Sequence, residues 1–157
     1  MTETIQKDIV INAPASKVFS AITSDKELTN WFPNIAKLEL RVGGQVEFKF
    51  QRADETVDHT VVGKVLEFVP DKKFSMSWKN TSDPNFPDTK VTWTLEPAQG
   101  GKTKVTLVHT GFEKGRWFEL HDGGWSYFAS RLVEYCQTGR VENRQMFKEL
   151  DGEKEGS

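Results

Sequence analysis

Four segments in the middle of the chain alternate strictly between apolar and polar residues, and this period of two constrains the fold more than any other feature. The segments cover 45–50, 73–78, 90–95 and 104–109. Strict alternation is typical of antiparallel strands with one buried and one solvent-exposed face. Turn residues separate the segments, so the pattern predicts a meander of hairpins. Its inward-facing positions are Val46, Phe48, Phe50, Phe74, Met76, Trp78, Val91, Trp93, Leu95, Val105 and Leu107.

A long helical pattern over 117–139 follows the last of these segments. Apolar residues recur there with the three-and-four spacing of one helix face, at Trp125, Phe128, Leu132 and Cys136. Gly139 provides a stop, and a helix of roughly 20 residues is about 30 Å long. We therefore expect a helix that lies like a lid across a strongly curved sheet.

The N-terminal part of the chain predicts one further strand and two short helices. The strand covers 7–12, and Pro14 opens the first helix. Ser24 and Glu27 have the spacing of a capping box at the start of the second helix, while Gly63 predicts a bulge or bend in the long segment that contains it. The predicted fold class is α+β with a helix-grip arrangement. In it, a curved antiparallel sheet of about six or seven strands wraps around the C-terminal helix, with the two short helices between strands one and two.

Length, charge and cysteine content limit the class of protein. We expect residues 1–139 to form a single domain and residues 140–157 to form a charged C-terminal extension that is partly mobile. The net charge of −2 argues against nucleic acid as a partner, and the single cysteine excludes an intramolecular disulfide. The sequence contains no apolar run of about 18 residues, so we expect no membrane insertion and a soluble, cytoplasmic monomer.

Large aromatic residues at the inward positions leave two alternatives for the interior: they fill it as core, or they line an apolar pocket with a few polar anchors. His59 and His109 share the inward parity of their strands, His121 precedes Trp125 by one helical turn, and Arg52 continues the inward parity of its strand. A buried polar group needs a partner, so these side chains bind a ligand, bond within the core or lie at a solvated strand end. The candidate ligand-binding residues are Phe48, Phe50, His59, Met76, Trp78, Trp93, His109, His121, Trp125 and Phe128.

Motifs for metal binding and covalent catalysis are lacking. No two histidines have a short-range ligand spacing, and the chain has no Gly-x-Ser-x-Gly motif. Cys136 lies on the packing face of the predicted helix, where a thiol is an inert core residue. We therefore expect no metal, no cofactor and no catalytic residue.

Six segments of the chain carry a resemblance to a known family: 9–19, 28–32, 41–48, 63–68, 109–112 and 124–139. They resemble the SRPBCC superfamily, which contains START and birch-pollen-allergen-like domains. Within it they are most similar to bacterial homologues of the domain that activates the ATPase of the 90-kDa heat-shock chaperone. The resemblance implies a helix-grip fold over about residues 5–139 with a cavity between sheet and lid helix. The superfamily hosts carriers of lipids and other hydrophobic ligands, cyclases, hydroxylase subunits and co-chaperone domains.

Three functional hypotheses follow. The first is non-catalytic binding of a small hydrophobic ligand, such as a lipid, polyketide or flavonoid-like molecule, in a cavity that opens near 83–88, near 111–117 or at both places. The alternative is a protein-interaction module that stimulates a heat-shock protein 90 type chaperone ATPase in the stress response. It requires exposed apolar residues. The third is a cyclase or hydrolase type of enzyme, which requires two titratable groups at hydrogen-bond distance in a cavity. Candidate exposed residues for the chaperone hypothesis are Trp31, Phe32, Phe86, Phe112 and Trp117.

Overall fold

The chain forms strands and helices in the predicted order in the computed structural model, which describes residues 2–141. The strands are β1 (Thr2–Ile11), β2 (Ile35–Leu38), β3 (Gln45–Gln51), β4 (Val57–Val69), β5 (Lys73–Asn80), β6 (Thr89–Pro97) and β7 (Thr103–Glu113). The helices are α1 (Ala15–Thr23), α2 (Asp25–Leu28) and α3 (Arg116–Thr138). The predicted helix-grip fold is therefore confirmed.

One antiparallel sheet contains all seven of these strands in the spatial order β1-β7-β6-β5-β4-β3-β2. Strands β2 to β7 form the meander, and β1 pairs with β7, so that β1 and β2 are the two edges. Helix α3 packs mainly on β1 and β7. Helix α3 therefore lies toward the β1 edge of the curved sheet, and a gap separates the helix from β3, β4 and β5.

Two register shifts bend β4. One lies between Val65 and Glu67 in the pairing with β5. The predicted position of the bulge was Gly63, and the observed bulge falls three residues after it. Gly63 has a different role: a Cβ atom there would overlap the carbonyl oxygen of Ser77, so only glycine permits this close approach of the two strands. The second shift lies in the pairing with β3.

The inward-facing positions predicted from the alternation are all buried. Around Trp31, Phe74 and Trp93, at the end of the sheet that α1 and α2 close, the remaining void is only about 10 Å³. A void of this size is at the lower limit for a single water molecule. This half of the interior is therefore a filled core.

The first turn of α2 differs from the sequence prediction. Ser24 is its N-cap residue but makes no side-chain capping bond, so the predicted capping box is not formed. The carboxylate of Glu27 instead accepts a hydrogen bond from the hydroxyl of Tyr135, at 3.2 Å, and joins α2 to α3.

Two further sequence predictions concern the ends of the chain and its long helix. The predicted extension over 140–157 lies outside the described residues from position 142 onward. Within residues 2–141, no helix has the length and apolar character needed to cross a membrane.

Candidate functional site

A cleft of about 600 Å³ lies between the N-terminal half of α3 and strands β3, β4 and β5. We call it the α3 cleft. Volumes of roughly 300–1,000 Å³ are typical of sites for small organic molecules. Its apolar wall consists of Phe32, Phe50, Trp78, Leu120, Trp125 and Phe128. Polar side chains that border it are Asp58, His59, Asn80, Ser82, Arg116 and Glu119.

The sequence left two alternatives for the interior, a filled core and an apolar pocket, and each of them holds for one half of the molecule. The half closed by α1 and α2 is filled, because Trp31 and Phe32 insert between sheet and helix there. The half under the N-terminal part of α3 is open.

Two adjacent glycines keep the helix side of the cleft open. Gly123 and Gly124 both border the cleft in the middle of α3. Apart from the adjacent residues and the backbone of the helix itself, a Cβ atom at either position would have no heavy atom within 4 Å. Glycine in a helix interior is about 1 kcal/mol less favourable than alanine, so the pair weakens α3 without relieving any steric conflict. The signal in the sequence, two consecutive glycines inside a helical pattern, was not used in our predictions.

His109 takes part in a fully directed chain of hydrogen bonds behind the cleft. The indole N–H of Trp125 donates to His109 Nδ1 at 2.9 Å. Because an indole can only donate, Nδ1 carries no proton and His109 Nε2 donates to Thr89 Oγ1, also at 2.9 Å. The Thr89 hydroxyl then donates to the carbonyl of Trp78 at 2.6 Å. Burial lowers the pKa of His109 to about 2, so the ring is neutral.

His121 orients the second tryptophan of the wall in the same way. The indole N–H of Trp78 donates to His121 Nε2 at 3.2 Å, so Nδ1 bears the proton and donates to the carbonyl of Trp117 at 2.9 Å. Burial lowers the pKa of His121 to about 4, although the bond to the Trp117 carbonyl acts in the opposite direction. Both histidines are therefore neutral groups that fix the indole rings of Trp78 and Trp125.

A polar cluster lies at the rim of the cleft, where the second register shift of β4 occurs. Phe50 pairs with His59 and Gln51 with Val57, so Asp58 is an extra residue in the strand. As a result, consecutive side chains, Asp58 and His59, both border the cleft.

A salt bridge and a histidine–carboxylate contact join the members of this cluster. His59 Nδ1 lies 2.7 Å from Asp58 Oδ2, and Arg52 Nη2 lies 2.8 Å from Asp58 Oδ1. The imidazole of His59 also stacks on the ring of Phe50, with 4.5 Å between centroids.

The loop between β5 and β6 closes one end of the cleft. Phe86 packs against Phe112, Trp117 and His121. The indole N–H of Trp117 donates to Asp83 Oδ2 at 3.0 Å and fastens the loop to the first turn of α3. The predicted exposed surface formed by these residues is therefore wrong: Phe86 and Phe112 are buried, as are Trp31 and Phe32, and Trp117 is half-buried.

The predicted ligand-binding residues fall into two groups. Phe48, Met76 and Trp93 border only the small void in the filled half, together with Leu28, Trp31 and Phe32. The His109 ring is bonded to Trp125 and Thr89 and does not border the cleft. Those that border the α3 cleft are Phe50, His59, Trp78, His121, Trp125 and Phe128. Within residues 2–141, no three side chains of His, Cys, Asp or Glu come together in a group that could hold a metal ion.

Sequence reasoning did not single out Asn80. It lies two residues beyond Trp78 on the same face of β5 and is only 5% exposed. Its position on the inward parity of an otherwise apolar strand face was the available signal.

Comparisons with known proteins agree with this architecture. Residues 12–137 match the family described as Activator of Hsp90 ATPase homolog 1-like protein. Protein CV1439 from Chromobacterium violaceum is 26% identical with a TM-score of 0.73, over 85% of this chain and 97% of that one. The Aha1 dimer from Colwellia psychrerythraea is 22% identical with a TM-score of 0.71, over 88% and 99%. CalU16 from Micromonospora echinospora is 22% identical with a TM-score of 0.72, over 92% and 80%. No curated protein matches the chain significantly in sequence.

Proposed function

We propose, from the premise that the chain belongs to the Activator of Hsp90 ATPase homolog 1-like family of the SRPBCC superfamily, that it binds a small, mainly apolar molecule in the α3 cleft. The observation that carries the proposal is the glycine pair. Gly123 and Gly124 cost α3 about 2 kcal/mol of intrinsic helix stability, yet the folded protein has room for a methyl group at both positions. A ligand in contact with the helix backbone gives this open space a use.

The wall of the cleft favours a ligand with flat, apolar faces. The indole N–H groups of Trp78 and Trp125 are bonded to His121 and His109, so the parts of these two rings left for a ligand are their carbon atoms. Rings fixed in this way lose little side-chain entropy when a ligand packs on them. Lipid, polyketide and flavonoid-like molecules all have apolar bodies that fit such a wall.

Titration of the protein with a panel of such compounds, followed by the indole N–H resonances in NMR spectra, tests the proposal. Trp78, Trp117 and Trp125 border the cleft, whereas Trp31 and Trp93 border only the void in the filled half. A ligand in the cleft shifts the first three resonances most, in a saturable manner. Equal shifts of all five, or no saturable shift with any compound, would refute the proposal.

Analysis of the ligand after prolonged incubation with the protein separates binding from catalysis. Asp58 and His59 meet at 2.7 Å beside the cleft, which satisfies the geometric condition of the enzyme hypothesis. Arg52 holds the other oxygen of Asp58, and this arrangement is also that of a rim ion-pair cluster that orders the hairpin. We propose binding without chemistry, so the ligand is recovered unchanged after prolonged incubation. Conversion of the ligand that Asp58→Asn abolishes would replace this proposal with an acid-base reaction.

A second candidate function is contact with a heat-shock protein 90 type chaperone. The family description favours it, and a cluster of apolar side chains is exposed where the loop between β2 and β3 meets β4. Val42 is 67% exposed, Leu40 40% and Leu66 43%, and the loop backbone bonds to Val65. Stimulation of a purified chaperone ATPase that Val42→Asp abolishes would support this role, and an unchanged ATPase rate at saturating protein would exclude it.

A further inference from the structure

The side-chain amide of Asn80 gives the α3 cleft a polar contact within its apolar wall. Asn80 is the last residue of β5, shares the inward face with Trp78 and is only 5% exposed. It borders the cleft. A side chain that is nine-tenths buried in such a wall needs hydrogen bonds for both ends of its amide.

The neighbouring residue determines which end of the amide faces which way. Asn80 Oδ1 accepts the backbone N–H of Ser82 at 2.9 Å and the Ser82 hydroxyl at 2.6 Å. A backbone N–H can only donate, so the atom that faces it is the amide oxygen. The amide nitrogen therefore lies on the other side of the group.

That nitrogen has no hydrogen-bond partner among residues 2–141. It is not one of the fully enclosed unpaired atoms of the structure, so part of its surface is accessible. The open space that Asn80 borders is the α3 cleft. The amide thus presents two N–H donors to a ligand in an apolar setting, where a missing acceptor is costly and a supplied one is favourable.

The surroundings favour a neutral acceptor over an anion. Trp78 and Phe50 in the cleft wall are aromatic, and the one guanidinium among the described lining residues, Arg116, is exposed at the rim. A carboxylate at the depth of Asn80 would lose its hydration without a buried cation as partner. A carbonyl oxygen loses much less hydration and accepts both amide protons.

We propose that the α3 cleft selects ligands with a carbonyl group on a flat apolar body, and that Asn80 Nδ2 donates a hydrogen bond to the carbonyl oxygen. This inference rests on the proposed binding function and adds the polar group by which the ligand is chosen.

Flavanone and flavan form a matched pair of probes, because they share the same three rings and differ in the single ketone oxygen. One hydrogen bond that is formed in place of an unpaired donor is expected to make flavanone bind roughly 3- to 10-fold more tightly to the wild-type protein. Dissociation constants come from the indole shifts of Trp125, so both probes are measured with the same reporter.

Three variants assign the preference to Asn80. Asn80→Leu removes the donor and is expected to bring the affinity ratio close to one through weaker flavanone binding. Asn80→Asp keeps the shape and the acceptor for Ser82 but lacks the N–H donors, so it is expected to prefer flavan-4-ol, which has a hydroxyl donor, over flavanone. Asn12→Leu is the control, because Asn12 is exposed and lies beside Gln137 near the other end of α3. It is expected to keep the wild-type ratio.

The outcomes distinguish the two levels of the argument. Equal affinity of the wild-type protein for flavanone and flavan overturns the role of Asn80 while binding itself stands. A preference for flavanone that persists in both Asn80 variants also overturns it, because another donor is then responsible. Binding of neither probe to the wild-type protein refutes the cleft as a site for this class of ligand, and the inference about Asn80 falls with it.

Discussion

Replacement of Gly123 and Gly124 by alanine is expected to stabilise the fold and weaken ligand binding at the same time. Both glycines lie inside α3, and apart from the adjacent residues and the helix's own backbone neither Cβ atom would have a heavy atom within 4 Å. The substitutions therefore cause no clash in the unliganded protein. Because both glycines border the α3 cleft, a molecule bound against this part of the helix would meet the added methyl groups.

Helix propensities give the size of the stabilising effect. Alanine is about 1 kcal/mol more favourable than glycine in a helix interior, so the double variant gains about 2 kcal/mol in the free energy of unfolding. For a domain of this size that gain raises the melting temperature by on the order of 5 °C. A ligand that touches the helix backbone must move away or be compressed, at a cost of about 1–3 kcal/mol, which weakens binding by on the order of tenfold or more.

Urea denaturation and ligand titration of the same samples measure the two effects. Ser126→Ala serves as the matched control, because Ser126 is exposed on α3 and does not border the cleft. It is expected to leave the affinity unchanged. A glycine double variant with increased stability and unchanged affinity would show that bound ligand does not reach α3. A destabilised variant would refute the argument that the space at these positions is empty.

Three more predictions concern the histidines and close contacts. In the folded protein the pKa of His109 is about 2 and that of His121 about 4, both below the ordinary 6.5. Below pH 6.5 the unfolded chain therefore binds protons that the folded protein does not, and the free energy of unfolding falls toward pH 4.5 by about 1.4 kcal/mol per histidine per pH unit. Urea denaturation at several pH values measures this fall. Gly63→Ala forces β4 away from a carbonyl of β5 and is expected to cost about 3 kcal/mol or more, measured by thermal melting. Trp117→Phe removes the bond to Asp83, with a loss of about 1 kcal/mol and faster amide exchange in the loop that holds Asp83.

The sequence could predict the fold because alternation and helical spacing record which face of each element is buried. Every inward position assigned from the alternation is buried in the structure. The bulge near Gly63 was misplaced, since a bulge depends on the register between two strands and leaves no distinct mark in either one alone.

The state of the interior could not be predicted from the same parity. Trp78 and Trp93 both face inward, yet only Trp78 borders the open half. The difference arises from α2, which places Trp31 and Phe32 over one end of the sheet, and strand parity contains no information about that placement.

The tautomers of the histidines likewise follow from the structure alone. His109 was a candidate ligand contact because of its inward parity, and His121 because it precedes Trp125 by one helical turn. Each proves to have both ring nitrogens bonded within the protein. Which partner a buried histidine finds depends on long-range contacts between strand and helix.

The most direct test of the account is the location of a bound ligand in solution. Intermolecular nuclear Overhauser effects between saturating flavanone and the aromatic protons of the protein report contacts within about 5 Å. We predict effects to Trp78, Trp125 and Phe128, which border the α3 cleft, and none to Trp93 in the filled half. Effects only to residues outside the cleft, or none at a concentration that saturates the indole shifts, would contradict the claim that this cleft is the binding site.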